Sequence, residues 1–239
     1  MNWQDQFRVS GYAQFQGLTP ASLVTTALEA IERDRRDNYD PERQVEYDNQ
    51  SYCPDLRGTP PIMDLLERSP ISAVVQEALG LANVAWDKGQ IAIRRAHNCD
   101  REVLPEPHID GFASGLNALE AGRVYNHTAT VGVFLTPTAR AFAGNFTVWP
   151  GSHHTYESYF RERGPRAMKE PMPTPEIGEP LQLMCGVGDA VFCHYELGHS
   201  AAVNTSGIDR IAIFFRIWFR DLEERRWEGL TNIWNGWKI

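Results

Sequence analysis

Between residues 20 and 31 the apolar positions Val24, Ala27, Leu28 and Ile31 recur three and four apart, the spacing that gathers them on one face of a helix. Thr19 stands ahead of them as a candidate N-cap and Pro20 as the first helical residue. The spacing therefore predicts a helix over 19–38, with its charged end, ERDRRDN, as a solvated face. PPIMDLLERS (60–69) and PISAVVQEALG (70–80) predict two shorter helices, the second capped by Gly80. From residue 84 the pattern changes. QIAIRRA, GRVYNHTATVGVFLTP, GNFTVWPG, PLQLMC, DAVFCH, HSAAVN and RIAIFFRIWF are short runs rich in β-branched and aromatic residues, punctuated by Gly, Pro, Asn and Asp, and they predict strands. Helices followed by six to eight strands imply a mainly β fold with helical cladding, a double-sheet jelly roll. The expected organisation is one domain over 1–239: a mainly helical part over 1–83, a jelly-roll core over 84–220, and an insert over 155–180. That insert starts as a short helix, continues as proline-rich loop, and has the character of a lid over a site.

Composition narrows the partners. A chain of 239 residues with 42% hydrophobic and 23% charged residues is an ordinary globular one, large enough to build a core without staples. A formal net charge of −8 speaks against nucleic acid or an anionic membrane surface as partner. The first residues, MNWQDQFRVSGYAQ, hold no apolar signal core, and no run of 18 apolar residues occurs, so a cytoplasmic protein acting on a small molecule is expected. Cys53, Cys99, Cys185 and Cys193 form no C-x-x-C pair and read as reduced thiols. Sequons at Asn126, Asn145 and Asn204 are then coincidental. Trp227, Trp234 and Trp237 in the tail fit a core or an interface equally, which leaves the oligomeric state open.

The candidate chemistry begins at PHIDG (107–111). With 7 His and 31 acids in 239 residues, about one His-x-acid triplet is expected by chance; two occur, His108-Ile109-Asp110 and His194-Tyr195-Glu196. Residues i and i+2 of a strand share a face, so His108 and Asp110 can point together into a barrel. One further histidine would complete a two-histidine, one-carboxylate face for a divalent iron, with three positions left open. His97, His127, His153, His154 and His199 are the candidates, with His194 as a rival. His199 draws the eye because Arg210 follows it by eleven residues. A hairpin through NTSG (204–207) would bring the next strand back beside it. A buried arginine needs an anion, and a dicarboxylate chelating the metal would supply one. Arg94 and Arg95 point to opposite faces, so at most one meets that cavity. Asn145, Thr147 and Trp149 share one face of their strand and Phe146 and Val148 the other; either face fits a pocket lining. Arg161, Arg163, Arg166 and Lys169 in the insert read as a solvated cluster.

The order PHIDG, VGVFLTP, NFTVWPGSHH, GDAVFCH, GHSAAVNTSGIDR, covering roughly residues 90–220, resembles the phytanoyl-CoA dioxygenase-like family of Fe(II)- and 2-oxoglutarate-dependent oxygenases. The resemblance implies a double-stranded β-helix, the cupin-like form of the jelly roll. It implies iron ligands at His108, Asp110 and His199, and a 2-oxoglutarate anchor at Arg210. Thr147 and Trp149 are the further candidates for contact with the co-substrate and substrate. One departure is Ala143-Gly144, where the family often has Asn-Gly. The implied activity consumes O2 and 2-oxoglutarate, releases succinate and CO2, and hydroxylates an aliphatic C–H of a small molecule. In halogenases of this broad class the carboxylate ligand gives way to chloride; Asp110 is present here. Two other readings compete: a cupin-like Zn or Mn metalloenzyme, which gives Arg210 no role, and a non-catalytic protein that binds metal and 2-oxoglutarate.

Overall fold

A computed structural model describes residues 2–117 and 119–239. In chain order it holds α1 (Trp3–Ser10), β1 (Tyr12–Phe15), α2 (Ala21–Asn38), α3 (Gln44–Asn49), α4 (Pro60–Glu67), α5 (Ile71–Ala78), β2 (Val84–Ala85), β3 (Gly89–Arg94), β4 (Ala129–Phe134), β5 (Phe146–Val148), α6 (Ser152–Arg163), β6 (Leu181–Gln182), β7 (Ala190–His194), β8 (His199–Ala201), β9 (Arg210–Phe219) and α7 (Arg226–Thr231).

The strands form two antiparallel sheets. The larger runs β1-β7-β4-β9, and β9 continues to both β3 and β2; the smaller runs β6-β5-β8. An isolated antiparallel bridge between His108 and His199 adds the 108 segment to the edge of the smaller sheet. This is the jelly roll that the strand pattern predicts.

Alternation along the strands decides what each face of the large sheet does. On β9, Ile211, Ile213, Phe215 and Ile217 join the main core, as do Ile91 and Ile93 of β3 and Val131 and Val133 of β4. The helices cover that face with Val24, Ala27 and Ile31 of α2, Ile62 and Leu65 of α4, and Val75 of α5. The opposite face carries Arg210, Ala212, Phe214 and Arg216 on β9, paired in register with Arg94, Ala92 and Gln90 on β3. Gly132 of β4 lies opposite Phe214, and a Cβ there would stand 2.8 Å from its ring. Small residues on this face keep room between the sheets.

Several boundaries differ from those read off the chain. Helix α1 and strand β1 are additions; β1 pairs with β7 from Tyr12↔Cys193 to Phe15↔Ala190, so the jelly roll recruits a strand from the mainly helical part. Four residues with one alternation are too short for periodicity to declare them. Thr19 does not cap α2: Pro20 is the N-cap residue, without a side-chain hydrogen bond, and the buried Thr19 Oγ1 has no partner. Gly80 does follow α5, with φ 76° and its amide donating to Gln76 O at 3.0 Å. Helix α6 starts at Ser152, three residues ahead of the expected insert. Tyr156 and Phe160 of α6 pack with Ile109, Phe112 and Tyr195. Trp234 and Trp237 pack against the main core and Trp227 against this smaller cluster. The four cysteines are free, and among the described residues no helix is long and apolar enough to cross a membrane.

Candidate metal centre and its cavity

His108 and His199 face each other through a hydrogen-bonded pair of backbones: each amide donates to the other's carbonyl, at 3.0 and 2.9 Å. That short ladder fixes the register and brings the ring centroids to 4.6 Å. Asp110, two residues along on the same face, places Oδ1 3.8 Å from His108 Nε2 and 3.6 Å from His199 Nε2. Their ligand atoms all lie within 4.8 Å of one another. Glycine at 111 is required here, because its φ is 89° and a Cβ would stand 2.6 Å from Tyr125 O.

The surroundings prepare these three groups. His199 Nδ1 donates to Leu197 O at 2.9 Å, which leaves the Nε2 lone pair aimed at the cavity. Tyr195 Oη donates to the Asp110 carbonyl at 2.9 Å. Arg216 Nε and a terminal nitrogen both reach Asp110 Oδ2 at 2.8 Å, so Oδ1 alone is left for the histidines. Burial alone would raise the Asp110 pKa, but Arg216 and then His199 outweigh it and hold the carboxyl well below its usual range. Burial, then His199, lowers His108 to about 4; its ring borders the cavity. The His108 imidazole is thus neutral and the Asp110 carboxylate charged near neutral pH, the protonation states a divalent cation needs of them.

The rival histidines are placed elsewhere. His194 Nε2 is bound to Ile233 O at 3.1 Å and its Nδ1 accepts from Glu196 N at 3.0 Å, while both Glu196 carboxyl oxygens are buried without a partner; the second His-x-acid triplet makes no common site. His153 is fully buried and bound to Arg8 O at 3.1 Å. His127 is buried against Thr130 Oγ1 at 2.7 Å, and His97 lies in an exposed loop.

Over the triad opens a cavity of about 840 Å3, floored by the polar face of β3 and β9 and walled by Phe112, Phe146 and Phe214. Arg210 is 2% exposed. Its Nε donates to Gly144 O at 2.8 Å and Nη1 to Ala92 O at 3.1 Å, and no carboxylate meets it among the described residues. Arg94 is its direct cross-strand neighbour. Burial, then Arg94, lowers Arg210 to about 9. Arg94 has Asp48 nearby, whose carbonyl accepts from its Nη1 at 3.4 Å; Arg210, which no carboxylate meets, makes a place for an anion. Gly144, retained where the sequence departs from Asn-Gly, allows this approach: its φ is 73° and a Cβ would stand 2.8 Å from Arg94 Cβ and 3.1 Å from Arg210 Cβ.

Two expectations are corrected. Strand β9 is not the hairpin partner of β8; the two lie in different sheets, so Arg210 reaches the cavity from the wall facing His199. Thr147 and Trp149 do not line the cavity; Phe146 does, in register with Ala201 across from His199 and Val148. Alternation then turns Thr147 and Trp149 to the other side, where both are buried. Of the arginine pair, Arg94 enters the cavity and Arg95 points away beside Tyr39 and Tyr52. In the insert, Arg161 pairs with Glu157 and Arg163 with Glu170, the solvated reading. Sequence reasoning missed Arg216, although its even-numbered spacing from Arg210 in an alternating strand is the signal that assigns it to the same face.

If Arg216 holds Asp110 in its ligating pose, Arg216→Gln should weaken metal binding by roughly 10–100-fold. Competition against a colorimetric chelator measures it, and unchanged affinity would remove that role.

The family profile described as Phytanoyl-CoA dioxygenase (PhyH) matches residues 7–212. Among solved structures, the chain is similar to HygX from Streptomyces hygroscopicus with nickel and 2-oxoglutarate bound (16% identity, 91% of this chain and 86% of that one, TM-score 0.59). It is also similar to the non-heme alpha-ketoglutarate-dependent carbocyclase SnoK from nogalamycin biosynthesis (18%, 94% and 89%, 0.56). A third is the epimerase SnoN of the same biosynthesis (17%, 91% and 81%, 0.54). At such identities the likeness is one of fold. No curated protein matches the sequence.

Proposed function

Because the chain belongs to the phytanoyl-CoA dioxygenase family, we propose that it is an Fe(II)- and 2-oxoglutarate-dependent oxygenase that hydroxylates an aliphatic C–H of a small molecule. The observation that carries this reading is the pairing of two features in one cavity: a convergent His-Asp-His donor set and a buried arginine, Arg210, that no carboxylate meets among the described residues. A metal site alone would fit zinc or manganese. The uncompensated Arg210 opposite it fits a co-substrate with a second carboxylate.

In this reading His108 Nε2, Asp110 Oδ1 and His199 Nε2 hold the iron. Arg210, with Arg94 beside it, binds the distal carboxylate of 2-oxoglutarate through charge-assisted hydrogen bonds. Iron held there would supply the oxidising chemistry, consuming 2-oxoglutarate and O2 and releasing succinate and CO2. The chain's own residues supply geometry and dryness. Leu197 O fixes the His199 tautomer, and Phe146 and Phe214, with ring centroids 5.2 Å apart, shield the centre from water. Asp110 fills the third ligand position, which supports hydroxylation over halogenation. An epimerase and a carbocyclase share the fold, so the product has to be read from turnover.

The test is an anaerobic titration of metal-free protein with Fe(II) and 2-oxoglutarate, followed by visible absorption. A weak charge-transfer band that requires both, and is absent in Arg210→Ala and His199→Ala, is the expected result. Iron binding without the band would refute the co-substrate and bring the zinc or manganese reading forward.

A further inference from the structure

The polar face of β3 and β9 carries positive charge at both ends. Arg94 and Arg210 stand at one end. Six residues further along β9, about 20 Å at the usual strand rise, stands Arg216, next to Lys88, which immediately precedes β3. A third cation joins that second end. Arg57 sits in the turn before α4, tied to the start of β3 by the Gly89 amide donating to Arg57 O at 2.9 Å. All three line the same cavity as the triad.

Their partners are unequal. Arg216 is occupied by Asp110. Lys88 meets Asp87 at 3.2 Å, on the exposed side. Arg57 has neither: its Nε is buried without a hydrogen-bond partner. The charges it feels are Arg216, which repels it, and Asp87, which attracts it. Burial first, then Arg216, lowers its pKa. A guanidinium held half-buried beside another, with an unpaired N–H, costs stability unless an anion arrives. Between the two cationic ends the floor is neutral: Gln90, Ala92, Ala212 and Phe214.

We propose that Arg57, supported by Lys88 and Arg216, forms a second anion subsite that binds a carboxylate or phosphate group of the prime substrate. The proposal rests on the oxygenase reading above for the word substrate, but the subsite itself does not depend on iron. The two ends then divide the labour. The Arg94–Arg210 end takes the co-substrate, and the Arg57 end takes an anionic small molecule whose apolar body lies over the neutral floor and past the triad. An acidic protein that presents Arg57 and Arg210 without a salt bridge inside one cavity selects for anions there, whatever its net charge.

The probes are 4-fluorobenzoate, its neutral amide, and 4-fluorophenyl phosphate, whose rings match the aromatic walls. Each is titrated by 19F NMR into protein holding Zn(II) in place of iron and excess 2-oxoglutarate, so that Arg210 is already engaged. One or both anions should bind at least about tenfold tighter than the amide, the ratio that a charge-assisted hydrogen bond is worth. The tighter of the two identifies the group. The preference should vanish in Arg57→Gln and persist in Arg57→Lys. Equal binding of acid and amide, no binding of either anion, or a preference that survives Arg57→Gln would overturn the proposal. The optical band with Fe(II), recorded on the same preparation, separates the two readings. A missing band with an intact anion preference refutes the oxygenase and leaves the subsite; a normal band without the preference does the reverse.

Discussion

Replacing Asp110 with alanine is expected to abolish Fe(II)-dependent conversion of 2-oxoglutarate to succinate and to reduce metal affinity on the order of a thousandfold. The magnitude follows from sharing a metal-binding free energy of about 10–16 kcal/mol among a few ligands, roughly 3–4 kcal/mol each. Asp110 Oδ1 is the one carboxylate donor between two imidazoles, so its loss removes both a ligand and the charge that offsets the cation. The loss also frees Arg216, whose guanidinium would then stand unpaired beside the site and repel the metal further. Metal content after gel filtration and succinate formation measure the two effects separately. Retained metal with lost turnover would mean that Asp110 serves the chemistry without ligating; full activity would sink the assignment of this triad altogether.

The second large effect concerns pH. His127, His153 and His194 are buried, and burial lowers them to about 3, 2 and 3. In the unfolded chain each titrates near 6.5. Below that pH the unfolded state takes up three protons that the folded state refuses, so stability falls as pH falls. Glu196 acts in the opposite sense. Burial, then Glu157, raises its pKa well above the ordinary value, so the folded state keeps a proton that the unfolded state releases above about pH 4.5. Its contribution therefore shrinks as pH rises. Between about pH 4.5 and 6.5 these three histidines, with His108 lowered to about 4 as a fourth, outweigh the one acid, so stability rises with pH. Above about 6.5 the histidine effect is spent and the raised Glu196 makes stability decline as pH rises. Metal-free protein should therefore be most stable near pH 6.5 and lose much of a typical 5–15 kcal/mol total by pH 5. Urea denaturation across pH 4.5–8.5 traces the curve. Glu196→Gln keeps the shape of the neutral acid and should flatten the alkaline limb while leaving the acid limb steep. A flat profile in the parent protein would show that these histidines are hydrated in solution.

Much of this molecule was written in local patterns. RIAIFFRIWF predicts a strand, and β9 spans those ten residues, Arg210–Phe219, because β-branched and aromatic residues alternating with others suit one pleated ribbon. The i, i+2 relation of His108 and Asp110 survives any arrangement of the rest, since both residues belong to one extended segment. The even spacing of Arg210, Ala212, Phe214 and Arg216 likewise commits them to one face. What the chain could not declare is which face meets the cavity and from which side a residue arrives. Thr147 and Phe146 are adjacent and both are compatible with a pocket; only the seating of β5 against β8, opposite His199, turns Phe146 inward. Arg210 arrives from the opposing sheet because the loop after β8 crosses between layers, a choice made by long-range pairing of β9 with β3 and β4. Arg57 and Lys88 carry no periodic signal at all. They matter through a backbone hydrogen bond to Gly89 that joins residues 32 apart in the chain. Periodicity is a property of neighbours in sequence and can be read from them; a cavity is a property of surfaces brought together, and its lining is set only when the sheets close over each other.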